Sequence, residues 1–374
     1  VKVIYSSLLA IVLSAAAFAQ PSASQAAAER YAREIIGFTN TGDRAGYRKF
    51  AEANFSEAFL RVPMSQHLGF MSAFHDQTRG WEYMKVQDWN ENEVIVLTKS
   101  KLTGAFDALL VRVDPSPPYK ITGIGMRPPK ADPNAPAKAM SADQAAKELE
   151  SFVKKLGEAD VFSGSVLLAK DGKVLYKGAV GMANKDFSAP NKIDTKFNLG
   201  SMNKMFTGVA IAQLVEQGRI APNDTIAELL PDYPNAASRS ATVEQLLNHR
   251  AGIADIFGPA FRAMPKDQFA SNADYFRFVA AQPPMFAPGE GEEYCNGCYV
   301  VLGEIVARVS GQTYEDYIAQ NVFARAGMTR SGFLRHDQLP ADAARYTGRP
   351  MGPQGELMDV SRFHGVAGSG AGNA

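Results

Sequence analysis

Apolar and polar positions follow two different periods in the first third of the chain. Apolar and small side chains recur at helical spacing over residues 26–38 and 47–60, and a turn-forming Asn-Thr-Gly-Asp sequence at 40–43 separates the two runs. Three later runs are rich in β-forming residues and are bounded by Gly, Pro or Asp. These runs are residues 94–97, 108–113 and 119–124. Two helices followed by strands predict a small α+β domain.

A second set of patterns follows a proline-rich stretch. Residues 127–136 contain four prolines, a composition that stays extended and is typical of a linker. Beyond it, Ser141 and Gln144 form a capping-box pattern at the start of an amphipathic helix. The apolar face of that helix consists of Ala145, Leu149, Phe152, Val153 and Leu156. Asp171 and Gly172 then separate two β-rich runs and predict a tight hairpin turn.

The first residues predict an export signal. An apolar run covers residues 4–18, and Ala17 and Ala19 place small side chains at the positions that a signal peptidase reads. A retained membrane anchor needs about 20 apolar residues, and the polar Gln20 follows too early. We therefore expect cleavage after Ala19 and a periplasmic or secreted protein without a membrane span.

Length and pattern together predict two folded domains. A chain of 374 residues exceeds what one hydrophobic core usually supports. We expect a signal peptide at 1–19, a small α+β accessory domain at 20–126, a linker at 127–140 and a larger domain at 141–374. The whole chain is then an α/β protein of the α+β type.

Charge and histidine content exclude several functions. Lys plus Arg and Asp plus Glu each number 39, so no net positive field attracts nucleic acid or an anionic membrane. His67 and His75 have no partner at zinc-ligand spacing, and we predict no metal site. No organic cofactor is expected, and the oligomeric state stays open.

Serine and lysine occur three residues apart at two places, Ser151 with Lys154 and Ser201 with Lys204. A helix brings such positions onto one face, where a base can activate the hydroxyl. Ser151 lies inside the amphipathic helix that begins after Ser141. Ser201 follows a turn-compatible Asn-Leu-Gly sequence and precedes a helix-forming stretch at 205–217, so it is predicted at a helix N-terminus, where backbone N–H groups favour negative charge. We choose Ser201 as the nucleophile.

Three segments resemble the class C β-lactamase and penicillin-binding-protein family of serine hydrolases. Residues 197–206 read FNLGSMNKMF and are similar to the nucleophile segment of that family. Residues 242–253 are similar to its LLxHxSG segment, with Ala251 in place of the usual Ser. Residues 286–303 resemble its FxPG and YSNxGYxxLG stretch. The resemblance implies an antiparallel sheet flanked by helices in residues 141–374.

The resemblance also implies roles for site residues. Tyr294 is expected to exchange protons with Ser201 and the leaving group, and Asn296 to bind the substrate. A competing Tyr-Pro-Asn sequence begins at Tyr233, in a proline-rich turn without the glycine-rich surroundings. His249 is interpreted as structural.

Cys295 and Cys298 occupy positions where the family usually has Ser and Gly. Their CxxC spacing permits a redox role, but the βαβ setting of thioredoxin-like enzymes is not visible in this sequence. A structural disulfide or two inert thiols is the preferred interpretation, and in an exported protein a disulfide persists.

The family's third motif, a Lys-Thr-Gly or His-x-Gly strand, is not found in this sequence, and the resemblance implies a C-terminally incomplete catalytic domain. We expect an exported serine hydrolase that acts on a small-molecule ester or amide, of the β-lactam or D-amino-acid peptide type, with an esterase-like enzyme favoured. The alternative is a non-catalytic envelope protein that uses the same fold to bind peptidoglycan or a partner.

Overall fold

The computed structural model of the chain describes residues 21–130, 140–334 and 339–345. These residues belong to two compact units, the first at 21–130 and the second comprising the remainder. The predicted signal peptide, residues 131–139 of the predicted linker and the glycine-rich end of the chain lie outside the described residues. Within the described ranges, no helix combines the length and the apolar character of a membrane span.

Helices begin the first unit. They are α1 (Ala23–Thr41), α2 (Arg44–Asn54), α3 (Glu57–Leu60) and α4 (Met64–Thr78). A capping box at Ser22 begins α1, and Gly42 ends it with a φ of 67°, a left-handed conformation that favours glycine. The prediction of one helix over 47–60 is wrong at Phe55, because this residue is extended and bridges to Ile121 between α2 and α3.

A four-stranded antiparallel sheet follows these helices in the order β1-β2-β3-β4. The strands are β1 (Trp81–Asn90), β2 (Glu93–Ser100), β3 (Phe106–Val113) and β4 (Ile121–Arg127). Helix α1 packs against this sheet. The core of the first unit includes Ile35, Tyr47, Trp81 and Leu109. The three predicted strands are present as β2, β3 and β4, whereas α4 and β1 were not predicted.

The second unit contains more helix than strand. Its helices are α5 (Ala142–Glu158), α6 (Lys204–Glu216), α7 (Ile226–Leu229), α8 (Val243–Leu247), α9 (Pro259–Ala263), α10 (Asn272–Ala280), α11 (Asn296–Ser310) and α12 (Tyr314–Ile318). Its strands are β5 (Gly164–Lys170), β6 (Lys173–Val180), β7 (Met182–Asn184) and β8 (Ala189–Pro190). Both strand pairs, β5-β6 and β7-β8, are antiparallel. This mixture of helices and antiparallel strands confirms the predicted α+β class.

Local sequence explains how the second unit begins. Ser141 caps α5 through the predicted capping box. Asp171 and Gly172 both have positive φ and turn β5 into β6, as their sequence predicted. Of the predicted apolar face of α5, Val153 is buried but Phe152 is 42% exposed. Among the residues that the structure describes, the predicted apolar face of α5 is therefore only partly buried.

Helices α6 and α11 bring two distant segments of the sequence together. They pack against each other, and Leu214 of α6 and Leu302 of α11 belong to the same core. Their first residues, Lys204 and Asn296, are joined by a hydrogen bond. The packing of two apolar helices thus places polar side chains from both segments in one site.

Candidate active site

Ser201 lies in a 3-10 turn that leads directly into α6. The turn covers Gly200–Asn203, and Gly200 has a φ of 53°, which glycine adopts without strain. The side-chain oxygen of Asn198 accepts a hydrogen bond from the Gly200 N–H at 2.7 Å and stabilises this entry. Ser201 itself is exposed. The α-helix starts at Lys204, so Ser201 lies in the turn that precedes it.

Lys204 extends its ammonium group into a polar and aromatic enclosure. Nζ donates a hydrogen bond to Ser201 Oγ at 3.3 Å and another to Asn296 Oδ1 at 2.8 Å. It also lies 4.8 Å from the ring centroid of Tyr294 and 5.5 Å from that of Tyr299. Lys204 is only 9% exposed. Its hydrogen bonds and the aromatic faces compensate for the hydration that burial removes.

Tyr294 lies just before α11 and is 51% exposed. Partial burial acts to raise the pKa of Tyr294, but hydrogen bonds with Lys204 and Ser201, together with the charge of Lys204, bring it below its usual value. A phenol that ionises more readily is a better proton acceptor near neutral pH. The structure therefore places Tyr294 beside Ser201 in an environment suited to proton exchange.

His249 supports the segment that carries Tyr294. Its Nδ1 accepts a hydrogen bond from the Cys295 N–H at 3.1 Å, and its carbonyl oxygen accepts one from the Glu293 N–H at 3.2 Å. Burial and the charge of Lys204 lower the pKa of His249. The imidazole is then neutral, as an accepting Nδ1 requires. These contacts agree with the structural interpretation of His249.

Asn296 is the first residue of α11 and does not cap it, because Cys295 occupies the cap position. The Asn296 side chain instead connects two charged groups. Its Oδ1 accepts from Lys204, and its Nδ2 donates to Asp255 Oδ1 at 3.0 Å. Asp255 was missed at the sequence level. The one signal was a carboxylate two residues after the buried Ile253, which ends the segment that resembles LLxHxSG.

The two cysteines form a disulfide across the first turn of α11. Cys295 and Cys298 are fully buried, with their Cα atoms 5.3 Å apart. Gly297 between them packs so closely that an added Cβ would lie 2.1 Å from the Ala254 carbonyl oxygen. Asn296 lies between the two bridged cysteines in the sequence and hydrogen-bonds to Asp255.

The competing candidates lie elsewhere. Ser151 and Lys154 are exposed on α5, and Lys154 pairs with Glu158. Tyr233 is buried against Phe276, and burial raises its pKa to about 12.

The two histidines of the first unit are engaged with backbone. His67 contacts the Phe59 carbonyl through Nε2, and His75 contacts the Thr39 carbonyl through Nδ1. In the described part of the chain, no group of three or more His, Cys, Asp or Glu side chains is arranged to hold a metal ion.

The Beta-lactamase family model matches residues 149–374, which is more than half of the chain. The chain belongs to the beta-lactamase family. Membership confirms the resemblance drawn from residues 197–206, 242–253 and 286–303. The matched region begins within α5 and contains Ser201, Lys204 and Tyr294.

Known relatives agree with this assignment. Penicillin-binding protein 4* of Bacillus subtilis (strain 168) is 33% identical over 187 residues, covering 50% of this chain and 41% of that protein. The crystal structure of a penicillin-binding protein from Bacillus halodurans is 29% identical, with a TM-score of 0.52, and the match covers 58% of this chain and 68% of that one. An octameric penicillin-binding protein homologue from Pyrococcus abyssi is 28% identical, with a TM-score of 0.50, over 61% of this chain and 52% of that one. The chain spans less than half the length of the first curated relatives it matches.

Proposed function

We propose that the second unit is a serine hydrolase that forms a covalent acyl-enzyme on Ser201. The observation that carries this proposal is the convergence of side chains from two distant segments. Lys204 contacts Ser201 Oγ from within α6, and Tyr294 and Asn296 reach the same ammonium group from the start of α11. A hydroxyl with a buried cation and a readily ionised phenol beside it has the partners that nucleophilic catalysis requires.

Acylation follows from these positions. Ser201 Oγ attacks the carbonyl carbon of an ester or amide, and its proton passes to the Tyr294 phenolate, which the Lys204 ammonium stabilises. The carbonyl oxygen becomes negative near the start of the 3-10 turn and α6, where backbone N–H groups and the helix dipole favour that charge. Tyr294 then donates its proton to the leaving alcohol or amine, and the acyl-enzyme remains.

Deacylation repeats the same proton transfers with water. Tyr294 accepts a proton from water as the water oxygen attacks the acyl carbon, and the proton returns to Ser201 Oγ when the acid product leaves. Asn296 Nδ2 carries two protons, one of which is donated to Asp255. The second proton is available to a substrate carbonyl group.

The substrate class in this proposal is a small ester or amide, including β-lactams and D-amino-acid peptides, with an esterase-like activity favoured. Ser201 and Tyr294 are both exposed, so a substrate can reach them. Export to the periplasm or the medium belongs to the same proposal. The leader-like sequence at 1–19 and the buried Cys295–Cys298 bridge support it, because disulfides persist in oxidising compartments.

Active-site labelling tests the proposed function. We expect a fluorophosphonate or a fluorescent penicillin to label the protein, and Ser201→Ala to abolish labelling. Ser151→Ala is the matched control, since it removes the serine of the other Ser-x-x-Lys sequence, and it should label like the unaltered protein. Labelling that survives Ser201→Ala contradicts the nucleophile assignment. A chain that no acylating probe labels supports the non-catalytic envelope protein instead.

A further inference from the structure

Asp255 lies beside the proposed catalytic groups, in the loop between α8 and α9. Its Oδ1 accepts two hydrogen bonds, one from Asn296 Nδ2 at 3.0 Å and one from the Ile256 N–H at 2.7 Å. The second bond ties the carboxylate to the backbone of the next residue. Asp255 therefore presents a fixed acceptor to the first residue of α11.

The side-chain amide of Asn296 has two chemically different ends, and both are engaged. Oδ1 faces the Lys204 ammonium and Nδ2 faces the Asp255 carboxylate. If the amide were reversed, its NH2 group would face an ammonium and its oxygen would face a carboxylate. Both contacts would be repulsive, because an ammonium group only donates hydrogen bonds and a carboxylate only accepts them. The two charges thus select one orientation of the amide.

Tight backbone packing fixes where the carboxylate lies. At Gly252, where φ is 67°, an added Cβ would lie 2.0 Å from the Phe286 carbonyl oxygen. At Gly297, an added Cβ would lie 2.1 Å from the Ala254 carbonyl oxygen. Glycine at both positions lets the loop approach neighbouring backbone on two sides. Asp255 then reaches Asn296 from a loop that is packed against backbone on both sides.

We propose that Asp255 is a positioning residue, which orients the Asn296 amide so that its oxygen holds the Lys204 ammonium beside Ser201. This inference rests on the proposed function of the site. A chain of contacts runs from carboxylate to amide, ammonium and hydroxyl, and every donor in it faces an acceptor. Without Asp255, the Asn296 amide loses the contact that distinguishes its two ends, and Lys204 loses a fixed acceptor.

A double-mutant cycle tests whether Asp255 acts through Asn296. We expect Asp255→Ala to lower kcat/KM for p-nitrophenyl butyrate by about tenfold or more, as loss of a hydrogen bond to a charged group does. In an Asn296→Ala background the same substitution should cost little further, because its target is already absent. Asp255→Asn keeps an acceptor oxygen and should recover part of the loss. Asp186→Ala, at an exposed site in the same unit, is the control and should leave kcat/KM unchanged.

Two results would overturn the inference. One is an equal loss from Asp255→Ala with and without Asn296, which would show that the carboxylate serves only to hold its own loop. The other is an NMR spectrum of the Asp255→Ala protein in which the two side-chain amide resonances of Asn296 lie where they do in the unaltered protein. The NMR measurement needs no turnover. A chain that fails to label at Ser201 therefore refutes the proposed function, while the amide resonances still decide the role of Asp255.

Discussion

Burial of the lysine distinguishes the two Ser-x-x-Lys sequences of this chain more clearly than spacing does. Lys154 is exposed and lies 3.9 Å from Glu158, an arrangement typical of a solvated helix surface. Lys204 is buried, and its charge acts on Ser201 and Tyr294 at short range with little screening by water. The same sequence pattern therefore gives a surface ion pair in one place and a candidate catalytic pair in the other.

The environment of Tyr294 predicts a pH dependence. The phenolate form accepts the proton in our mechanism, so kcat/KM should rise with pH as Tyr294 ionises. Because Lys204 and Ser201 lower its pKa, the midpoint of the rise should lie below the value of about 10 expected for a free tyrosine. Tyr294→Phe should lower kcat/KM by about 10²- to 10⁴-fold, the usual contribution of a general base. A pH–rate profile of both proteins checks this.

Lys204→Ala provides a second check on the same limb of the profile. Removing the ammonium takes away a hydrogen bond and a positive charge, so the pKa of Tyr294 should rise and the limb should move to higher pH. In the unaltered protein, burial and the charge of Lys204 lower the pKa of His249, so this histidine should not contribute to the alkaline limb assigned to Tyr294. If the Tyr294→Phe protein showed the same rise of kcat/KM at the same pH, a group other than Tyr294 would be the proton acceptor.

Residue-level reasoning predicted the site partners but not the contact between Asn296 and Asp255. Ser201, Lys204, Tyr294 and Asn296 belong to segments with recognisable sequences, and the structure brings these four together. Asp255 belongs to a loop whose conformation depends on glycines that pack against distant backbone. That packing leaves no periodic signal in the sequence, so the contact emerges only in three dimensions.

The first turn of α11 is the element that joins the site, and its disulfide makes a prediction of its own. Replacing Cys295 and Cys298 together by serine should lower the free energy of unfolding by about 2 kcal/mol. This is the contribution expected when a bridge that closes a very short loop no longer restricts the unfolded chain. Hydrolysis should persist, since neither sulfur takes part in the proposed chemistry. Thermal unfolding with an ester hydrolysis assay measures both effects.

The matching control is the reduced wild-type protein, which should also keep its activity. Both sulfurs are buried, so reduction should be slow without denaturant. Complete loss of hydrolysis in the serine variant, at a temperature where it remains folded, would show that the bridge does more than stiffen the turn. If mass spectrometry detected free thiols at Cys295 and Cys298 in the native protein, this prediction would have no basis.

Elements with a clear local signal were predictable, and those defined by tertiary pairing were not. The capping box at Ser141 marked the start of α5, and the Asp-Gly pair marked the β5-β6 turn. Strand β1 mixes exposed and half-buried positions without regular alternation, and it pairs with β2 through two register shifts. The break at Phe55 arises from its bridge to Ile121, a partner 66 residues along the chain that helical periodicity does not reveal.

At the scale of the whole molecule, the described residues build two separate hydrophobic cores. One core contains Leu109 with residues from α1, α2 and the four-stranded sheet. The other contains Leu214 with residues from α6 and α11, and it supports the first turn of each helix. No residue belongs to both cores among those described. Each unit thus has the apolar interior that an independent folding transition requires.

This separation predicts that the two units respond independently to core substitutions. Leu109→Ala and Leu214→Ala each remove a fully buried leucine, which typically costs about 2–5 kcal/mol. In calorimetry of the protein, Leu109→Ala should lower the unfolding temperature of residues 21–130 and leave fluorophosphonate labelling of Ser201 intact. Leu214→Ala should lower the unfolding temperature of the second unit. Near that temperature, labelling of Ser201 should fall as well. If Leu109→Ala lowered both transitions equally, the two cores would unfold together, and the site at Ser201 would depend on the stability of both units.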